Sequence, residues 1–283
     1  MSSLNSLKNR IAVVGNTKKI THAMELVAAS KLRKYREMYV NVEKFKNVLE
    51  DTFAKILINL SPIDLKNIFP SNKSNSTLYI VITSDLGLCG SYNSNIFNLL
   101  KTTVNKQDKL IVFGAKGISN IYYSWMKDLM IHEIANYGEK LEYNLTNSVA
   151  KIALELFEKG EISSIKVIYT KFINNVVQTA SCAQLLPIEK ENFSSRELGS
   201  EIEFEPDPQT VLKNAIPLYI SSLIYSLGIS SKVSEMASRR NAMENSTDNA
   251  DELLNDLHLE FNRTRQSLIT QEISEIVSGA DAT

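Results

Sequence analysis

Apolar residues recur at alternating steps of three and four from the start of the chain: Leu4, Leu7, Ile11, Val14, Ala28, Leu32, Tyr35, Tyr39, Val42, Leu49, Phe53, Ile56 and Leu60. Lys18, Thr21, Glu25 and Lys46 fall on the same rhythm. No proline interrupts this stretch, so it predicts one helix from about Ser3 to Leu60, closed by Ser61-Pro62. A 3.5-residue period held this long needs a second helix wound around it in a left-handed coiled coil. At 1.5 Å per residue, ~58 residues reach roughly 87 Å, more than a compact domain of this mass needs. Gly15 is a weak point inside it, costing about 1 kcal/mol relative to alanine. The partner is at the other end of the chain, where Met243, Thr247, Ala250, Leu254, Leu257, Phe261, Thr264 and Leu268 take up the same stepping. That helix starts at Asp207-Pro208, an N-cap followed by proline in the first turn, and runs to about Ser278-Gly279. Pro217 and Gly228 are expected to bend its start.

The rhythm changes between these ends. Leu78 to Thr83 is a β-branched apolar run, followed by Ser84-Asp85-Leu86-Gly87-Leu88-Cys89-Gly90 and a helical stretch from Asn93 to about Val104. Lys109 to Phe113 followed by Gly114-Ala115-Lys116-Gly117 repeats strand and turn. Ser163 to Tyr169 and Val176 to Leu186 read as further strands after a helix around Glu142 to Glu158, and Glu189 to Glu205 reads as a polar, acidic linker. Strands alternating with helices predict a mostly parallel, Rossmann-like sheet covered on both faces. The fold class is therefore α/β: a long antiparallel coiled coil of N- and C-terminal helices with an inserted Rossmann-like domain. The divisions are residues 1–62 and 206–283 for the paired helices and 77–200 for the insertion.

With 283 residues, 43% hydrophobic and 22% charged, the chain is globular in composition and needs no staples. Two distant cysteines, Cys89 and Cys182, and no charged-then-apolar leader point to a reducing compartment, which makes Asn75-Ser76-Thr77 and Asn262-Arg263-Thr264 chance glycosylation matches. No window reaches ~18 uninterrupted apolar residues, so membrane association is expected only through partners. The net charge of −1 is uneven. Residues 1–40 hold Lys8, Arg10, Lys18, Lys19, Lys31, Arg33, Lys34 and Arg36 against Glu25 and Glu37, a local +6 that favours acidic surfaces. A solvated helix face is the plainer reading of such a run. Nucleic acid is disfavoured, because exposed aromatics do not interleave with the basic residues and the pI is about 6.4.

Candidate chemistry is sparse. Gly87-x-x-Gly90 and Gly114-x-x-Gly117 follow strands as phosphate-cradling loops do, but neither completes a Walker or dinucleotide fingerprint, and tight turns explain them better. His132-Glu133 opens like a zinc-protease motif, yet Asn136 stands where the second histidine would be, so metal binding is rejected there. Ser84-Asp85 and three histidines give no recognisable triad, and the cysteines read as core or strand residues. A hydrolase-like domain with helical appendages would lack an identified nucleophile. More telling are the charges and amides of Ser238 to Ala250 and of Phe261 to Glu272, which stand in the coil where leucines would be more stabilising. They either specify register or keep one face of the coil from sticking to a changing set of partners.

These residues carry a resemblance. Asn16-Thr17-Lys18-Lys19-Ile20-Thr21-His22-Ala23-Met24-Glu25-Leu26-Val27-Ala28-Ala29-Ser30-Lys31 resembles the amino-terminal signature of the gamma subunits of F-type ATP synthases. The Ser84 to Gly90 turn, the Met243 to Asn249 stretch and the closing Phe261 to Ala280 segment resemble three further motifs of that family, in its order and over essentially the whole chain. The resemblance implies a non-catalytic central rotor shaft without cofactor, metal or small-molecule substrate. Its implied partners are alpha and beta ATPase subunits, the epsilon subunit and a membrane c-subunit ring, on the cytoplasmic side of the cell membrane. It implies beta-subunit contacts for Met24, Arg265 and Gln266, and for the basic Lys18, Lys19, Lys31, Arg33, Lys34 and Arg36. The Ile273 to Thr283 tip would sit in the bearing of the alpha/beta ring. Glu244 and Ser246 depart from the family pattern. Alternatives are the shaft of a related ATPase with a non-standard partner, or a static coiled-coil adaptor.

Overall fold

The computed structural model describes residues 2–58, 74–137, 141–188, 204–205 and 207–281. Its elements in chain order are α1 (Ser2–Ile58), β1 (Thr77–Ile82), α2 (Tyr92–Thr103), β2 (Lys109–Phe113), α3 (Ala115–Tyr122), β3 (Met130–Ile134), α4 (Tyr143–Glu158), β4 (Ser164–Phe172), β5 (Gln178–Leu186) and α5 (Pro208–Asp281). The chain divides into two compact units, residues 1–30 with 239–283 and residues 31–238. The helices α1 and α5 each have residues in both.

In the larger unit, five strands take the order β3-β2-β1-β4-β5. The first four are parallel, and β5 pairs antiparallel with β4. Side chains on a strand alternate between faces, and here both faces are covered. Leu78, Ile80 and Ile82 of β1 point to one side, with Ile111, Phe113, Ile165 and Val167. Onto that side pack Phe53, Ala54 and Leu57 of α1, Val149, Ala150 and Ala153 of α4, and Leu212 to Ile229 of α5. Tyr79 and Val81 point the other way, into Tyr92, Ile96, Phe97 and Leu100 of α2, Ile121 of α3 and Met126. A sheet buried twice needs near-continuous apolar strands, and the runs Leu78 to Ile82 and Leu110 to Phe113 supply them. In this unit α1 and α5 run antiparallel: Met38 meets Tyr225, Leu32 and Tyr35 cluster with Val233 and Met236, and Phe53 stacks on Tyr219 with ring centroids 4.1 Å apart.

In the smaller unit the same two helices pair antiparallel through polar groups. Lys18 Nζ lies 2.5 Å from Asp251 Oδ1, and the hydroxyls of Thr21 and Thr247 are 2.8 Å apart. Every described seam position predicted from the stepping, from Leu4 to Ile56 and from Thr247 to Leu268, is buried or half-buried; Leu60 lies outside the described residues. Leu7, Ala28, Met243, Ala250 and Leu257 are buried outright. At the start of α5, Asp207 caps as expected, its Oδ1 accepting the Thr210 N–H at 2.9 Å. Ser61-Pro62 and most of the linker between Glu189 and Glu205 lie outside the described residues.

One element escapes the sequence reading. Met130 to Ile134 forms β3, so His132 and Glu133 are exposed residues of an edge strand, and the helical spacing of a zinc-protease motif has no counterpart. Asn136 follows in the left-handed region, φ 52°. Among the described residues no group of three histidines, cysteines or carboxylates is placed to hold a metal ion.

Candidate partner interface

Doubly wound sheets bind ligands beyond the carboxyl ends of the strands, where strand order reverses. Here that place lies between β1 and β4, and α5 fills it: Ser231 Oγ accepts from the Thr170 N–H of β4 and lies 2.8 Å from the Tyr92 hydroxyl of α2. The neighbouring ends of β1, β2 and β3 are closed as well. Asp85, just after β1, accepts hydrogen bonds from the backbone N–H groups of Ala115 at 3.0 Å and Asn136 at 2.9 Å. Its carboxylate thus sits at the amino end of α3, where a bound phosphate would otherwise meet free N–H groups. The next two donors are also taken, Lys116 N–H by the Ser84 carbonyl at 3.1 Å and Gly117 N–H by Thr83 Oγ1 at 3.0 Å. A Cβ on Gly114 would stand 2.5 Å from the Thr83 carbonyl oxygen, and its φ of 99° is left-handed, so glycine is required by close approach as well as by conformation. The two glycine pairs are therefore tight turns, and the Asp85 carboxylate opposes an anion at the place one would bind.

The Ser84 to Gly90 loop is tied to itself. Ser84 Oγ donates to the Leu86 carbonyl at 2.7 Å and accepts from Asn93 Nδ2 at 2.7 Å, while Cys89 is buried beneath. Leu86 and Leu88 are left exposed on its outside, 72% and 62%, so the loop presents an apolar surface and no nucleophile. Cys182 is an exposed residue of β5.

The nine residues expected to meet beta subunits are divided between the two units. In the smaller unit Lys18 is half-buried and paired with Asp251, Lys19 is exposed and Met24 is half-buried. Arg265 and Gln266 are exposed on α5. Fourteen residues separate Arg265 from Asp251, roughly 21 Å along the helix, so they stand well away from Lys18. Lys31, Arg33, Lys34 and Arg36 belong to the larger unit, with Arg33, Lys34 and Arg36 exposed and Lys31 half-buried. Glu244, a departure from the family pattern, is paired with Arg240 one turn back at 3.3 Å, and Ser246 Oγ donates to the Ala242 carbonyl at 2.7 Å.

Three apolar surfaces stand exposed; the first overlaps the Ile273 to Thr283 tip for which the resemblance implies a bearing, and the other two escaped the sequence reading. Beyond Leu268, α5 has no further half-buried position among the described residues, and Ile269, Ile273, Ile276 and Val277 are 47 to 72% exposed. Their spacing was visible, but among the described residues no helix covers them. At the β3 edge, Tyr122, Tyr123 and Trp125 stand exposed, with Lys127 Nζ 4.2 Å from the Tyr122 ring centroid. The β4–β5 turn carries exposed Ile173, Val176 and Val177. Exposed apolar and aromatic groups of this kind mark protein interfaces.

The protein family described as ATP synthase matches residues 3–283. The ATP synthase gamma chain of Mycoplasmopsis synoviae is 48% identical over 288 aligned residues, covering all of both chains. That of Mycoplasmopsis pulmonis is 44% identical over 281 residues and 99% of each chain. Among solved structures, a chain of the central stalk and c-ring of Tetrahymena thermophila mitochondrial ATP synthase, determined by cryo-EM, superposes with a TM-score of 0.62 at 27% identity. It covers 80% of this chain and 98% of its own.

Proposed function

The chain belongs to the gamma-chain family of ATP synthases, and from that premise we infer that it is the central rotor shaft of an F-type ATP synthase, a subunit that turns and does no chemistry of its own. The observation that carries the reading is the match of essentially the whole chain, both helices and the sheet between them, to gamma chains of the same length. In this reading the shaft couples rotation to ATP synthesis or hydrolysis in a ring of alpha and beta subunits, and to ion translocation by a membrane c-ring. The epsilon subunit is a further partner of the sheet domain. No described helix is long and apolar enough to cross a membrane, which fits a chain held on the cytoplasmic side of the cell membrane through its partners. The exposed apolar end of α5 fits a bearing.

Coupling of this kind is a difference in contact free energy between rotational positions, typically ~1–3 kcal/mol per site in allosteric systems. Exposed ion pairs contribute about 0–1 kcal/mol each and are screened by salt. Steric push by apolar surfaces therefore dominates, and Lys18, Lys19, Lys31, Arg33, Lys34 and Arg36 steer and tune. Met24, Arg265 and Gln266 are assigned to beta-subunit contacts.

The test is reconstitution. The isolated chain is expected to show no ATP turnover, and with alpha and beta subunits it should enter at one copy per ring. Robust ATP hydrolysis by the purified single chain would overturn the non-enzyme assignment, and its absence from the purified ring would overturn the rotor.

A further inference from the structure

Strand β4 outruns its neighbour. The last residue it pairs with β1 is Ile168, opposite Val81, yet it continues to Phe172. The backbone groups left open on that side are met by serine hydroxyls of α5. Phe172 N–H donates to Ser230 Oγ at 3.1 Å, and Thr170 N–H donates to Ser231 Oγ at 3.2 Å. Ser234 Oγ lies 3.2 Å from the Thr170 carbonyl and 2.8 Å from the Ser230 carbonyl, sharing its proton between them. Ser231 Oγ is also 2.8 Å from the Tyr92 hydroxyl, which ties the same turn of α5 to α2. All three serines are at most 5% exposed.

The β1 side of the crevice is sealed by charge. Lys232 and Glu235, both buried, pair at 3.2 Å, and Lys232 Nζ lies 4.0 Å from the Tyr137 ring centroid. The Tyr137 hydroxyl donates to the Thr83 carbonyl at 2.8 Å, and Ser238 Oγ donates to the Cys89 carbonyl at 2.7 Å. Burial, followed by the charge of Glu235, raises the Tyr137 phenol well above its ordinary range, so it remains a donor.

We propose that Ser230, Ser231 and Ser234 are positioning residues that form a torque-bearing joint, indexing α5 to the main chain of β4. The proposal rests on the rotor reading and deepens it. Apolar packing between α5 and the sheet resists separation but is non-directional, so it resists sliding and turning weakly. Hydrogen bonds prefer angles above about 150° and weaken steeply below ~120°, so they fix one register. The three hydroxyls, carried on adjacent turns of α5, hold two main-chain donors and one main-chain acceptor of β4. Alanine at the three positions keeps the helix, favours it by propensity, and removes the bonds to β4 together with the Ser231–Tyr92 contact. With three bonds of ordinary net strength gone, the ratio of seated to slipped α5 changes on the order of a hundredfold.

The experiment uses the chain reassembled with alpha and beta subunits, with a bead attached in turn at two places. Cys182 on β5 is exposed while Cys89 is buried, so a bead there loads the sheet and passes torque to α5 through the joint. A bead on Asn214→Cys, in a Cys182→Ser background, loads α5 directly, since Asn214 is an exposed residue of that helix. In the S230A/S231A/S234A chain, torque read through Cys182 should fall below the wild-type value, while torque through Asn214→Cys and the ATP hydrolysis rate stay unchanged. Equal torque at both attachment points in the triple variant overturns the joint, even if its Tm is lower, because a merely structural role does not separate the two readings. Should the triple variant fail to assemble, S231A alone, which removes both the β4 and the Tyr92 connection, is put through the same comparison and decides it. A wild-type chain that does not turn under ATP at either attachment overturns the rotor reading, and the joint with it.

Discussion

Thr170 is buried to 3% exposure, and its side-chain hydroxyl has no hydrogen-bond partner among the described residues, although its own backbone N–H and carbonyl are both engaged by α5. A buried hydroxyl left unpaired costs about 1–3 kcal/mol. Valine has the same shape without the polar atom, so Thr170→Val should raise unfolding stability by about 1 kcal/mol. Urea denaturation of the complete chain measures this as a higher midpoint at unchanged slope; a lowered midpoint would mean that the hydroxyl holds something. Asp85 illustrates what residue-level reading lacks. Its neighbours in sequence suggest a turn, but its hydrogen-bond partners Ala115 and Asn136 are 30 and 51 residues away. Only the parallel sheet, which brings the ends of β1, β2 and β3 side by side, makes a helix cap out of it. The serine joint was hidden for the same reason. Ser222, Ser226, Ser230, Ser234 and Ser238 recur every four residues, a signal that α5 has a small polar face, without any indication that the unpaired edge of β4 lies against it.

Elements were legible where their periodicity was long. The stepping of α1 marks positions that are all at least half-buried where described, because a 3.5-residue period admits one facing stripe and no other. Two of its four polar exceptions are now explained: Lys18 and Thr21 face Asp251 and Thr247, so they set register where leucines would allow slippage. By contrast β3 was unreadable. Its five residues, Met-Ile-His-Glu-Ile, are too short and too exposed for alternation to show, and only pairing with β2 makes them a strand. Since the Thr21 and Thr247 hydroxyls are 2.8 Å apart, cysteines at these positions place their sulfurs within reach of one another. A Thr21→Cys/Thr247→Cys chain carrying Cys182→Ser should close an internal disulfide on mild oxidation and run as a faster monomer on a non-reducing gel. Links formed only between two copies would replace the internal coil with a homodimeric one.

At the scale of the whole molecule, sequence pattern located long paired helices and a sheet, but the consequence of any one exposed side chain depends on surfaces the chain does not contain. Arg265 and Gln266 pose the question most sharply. Both are exposed, and they stand roughly 21 Å along α5 from the Lys18–Asp251 pair, so that pair's local electrostatics cannot account for them. If they only solvate the helix, replacing both with alanine changes stability within about ±0.5 kcal/mol and function not at all. If each bonds one beta subunit at a time, a charge-assisted bond of about 1.5–3 kcal/mol for the arginine is made in some rotational positions and broken in others. Such a bond deepens one dwell and leaves the others as they are. Alanine favours the helix at both positions, so the double variant should assemble at normal yield, while the dwell that the bond stabilises shortens and the ATP-driven rate shifts with it. Salt offers an independent check, because a contact with an arginine weakens as ionic strength rises from about 0.01 to 0.15 M and the Debye length falls from ~30 to ~8 Å. Wild-type dwell times should then drift toward those of the double variant, whose own dwells stay put. Single-molecule rotation reads both, and identical dwell distributions for the two chains at low salt would assign these residues to solvation alone.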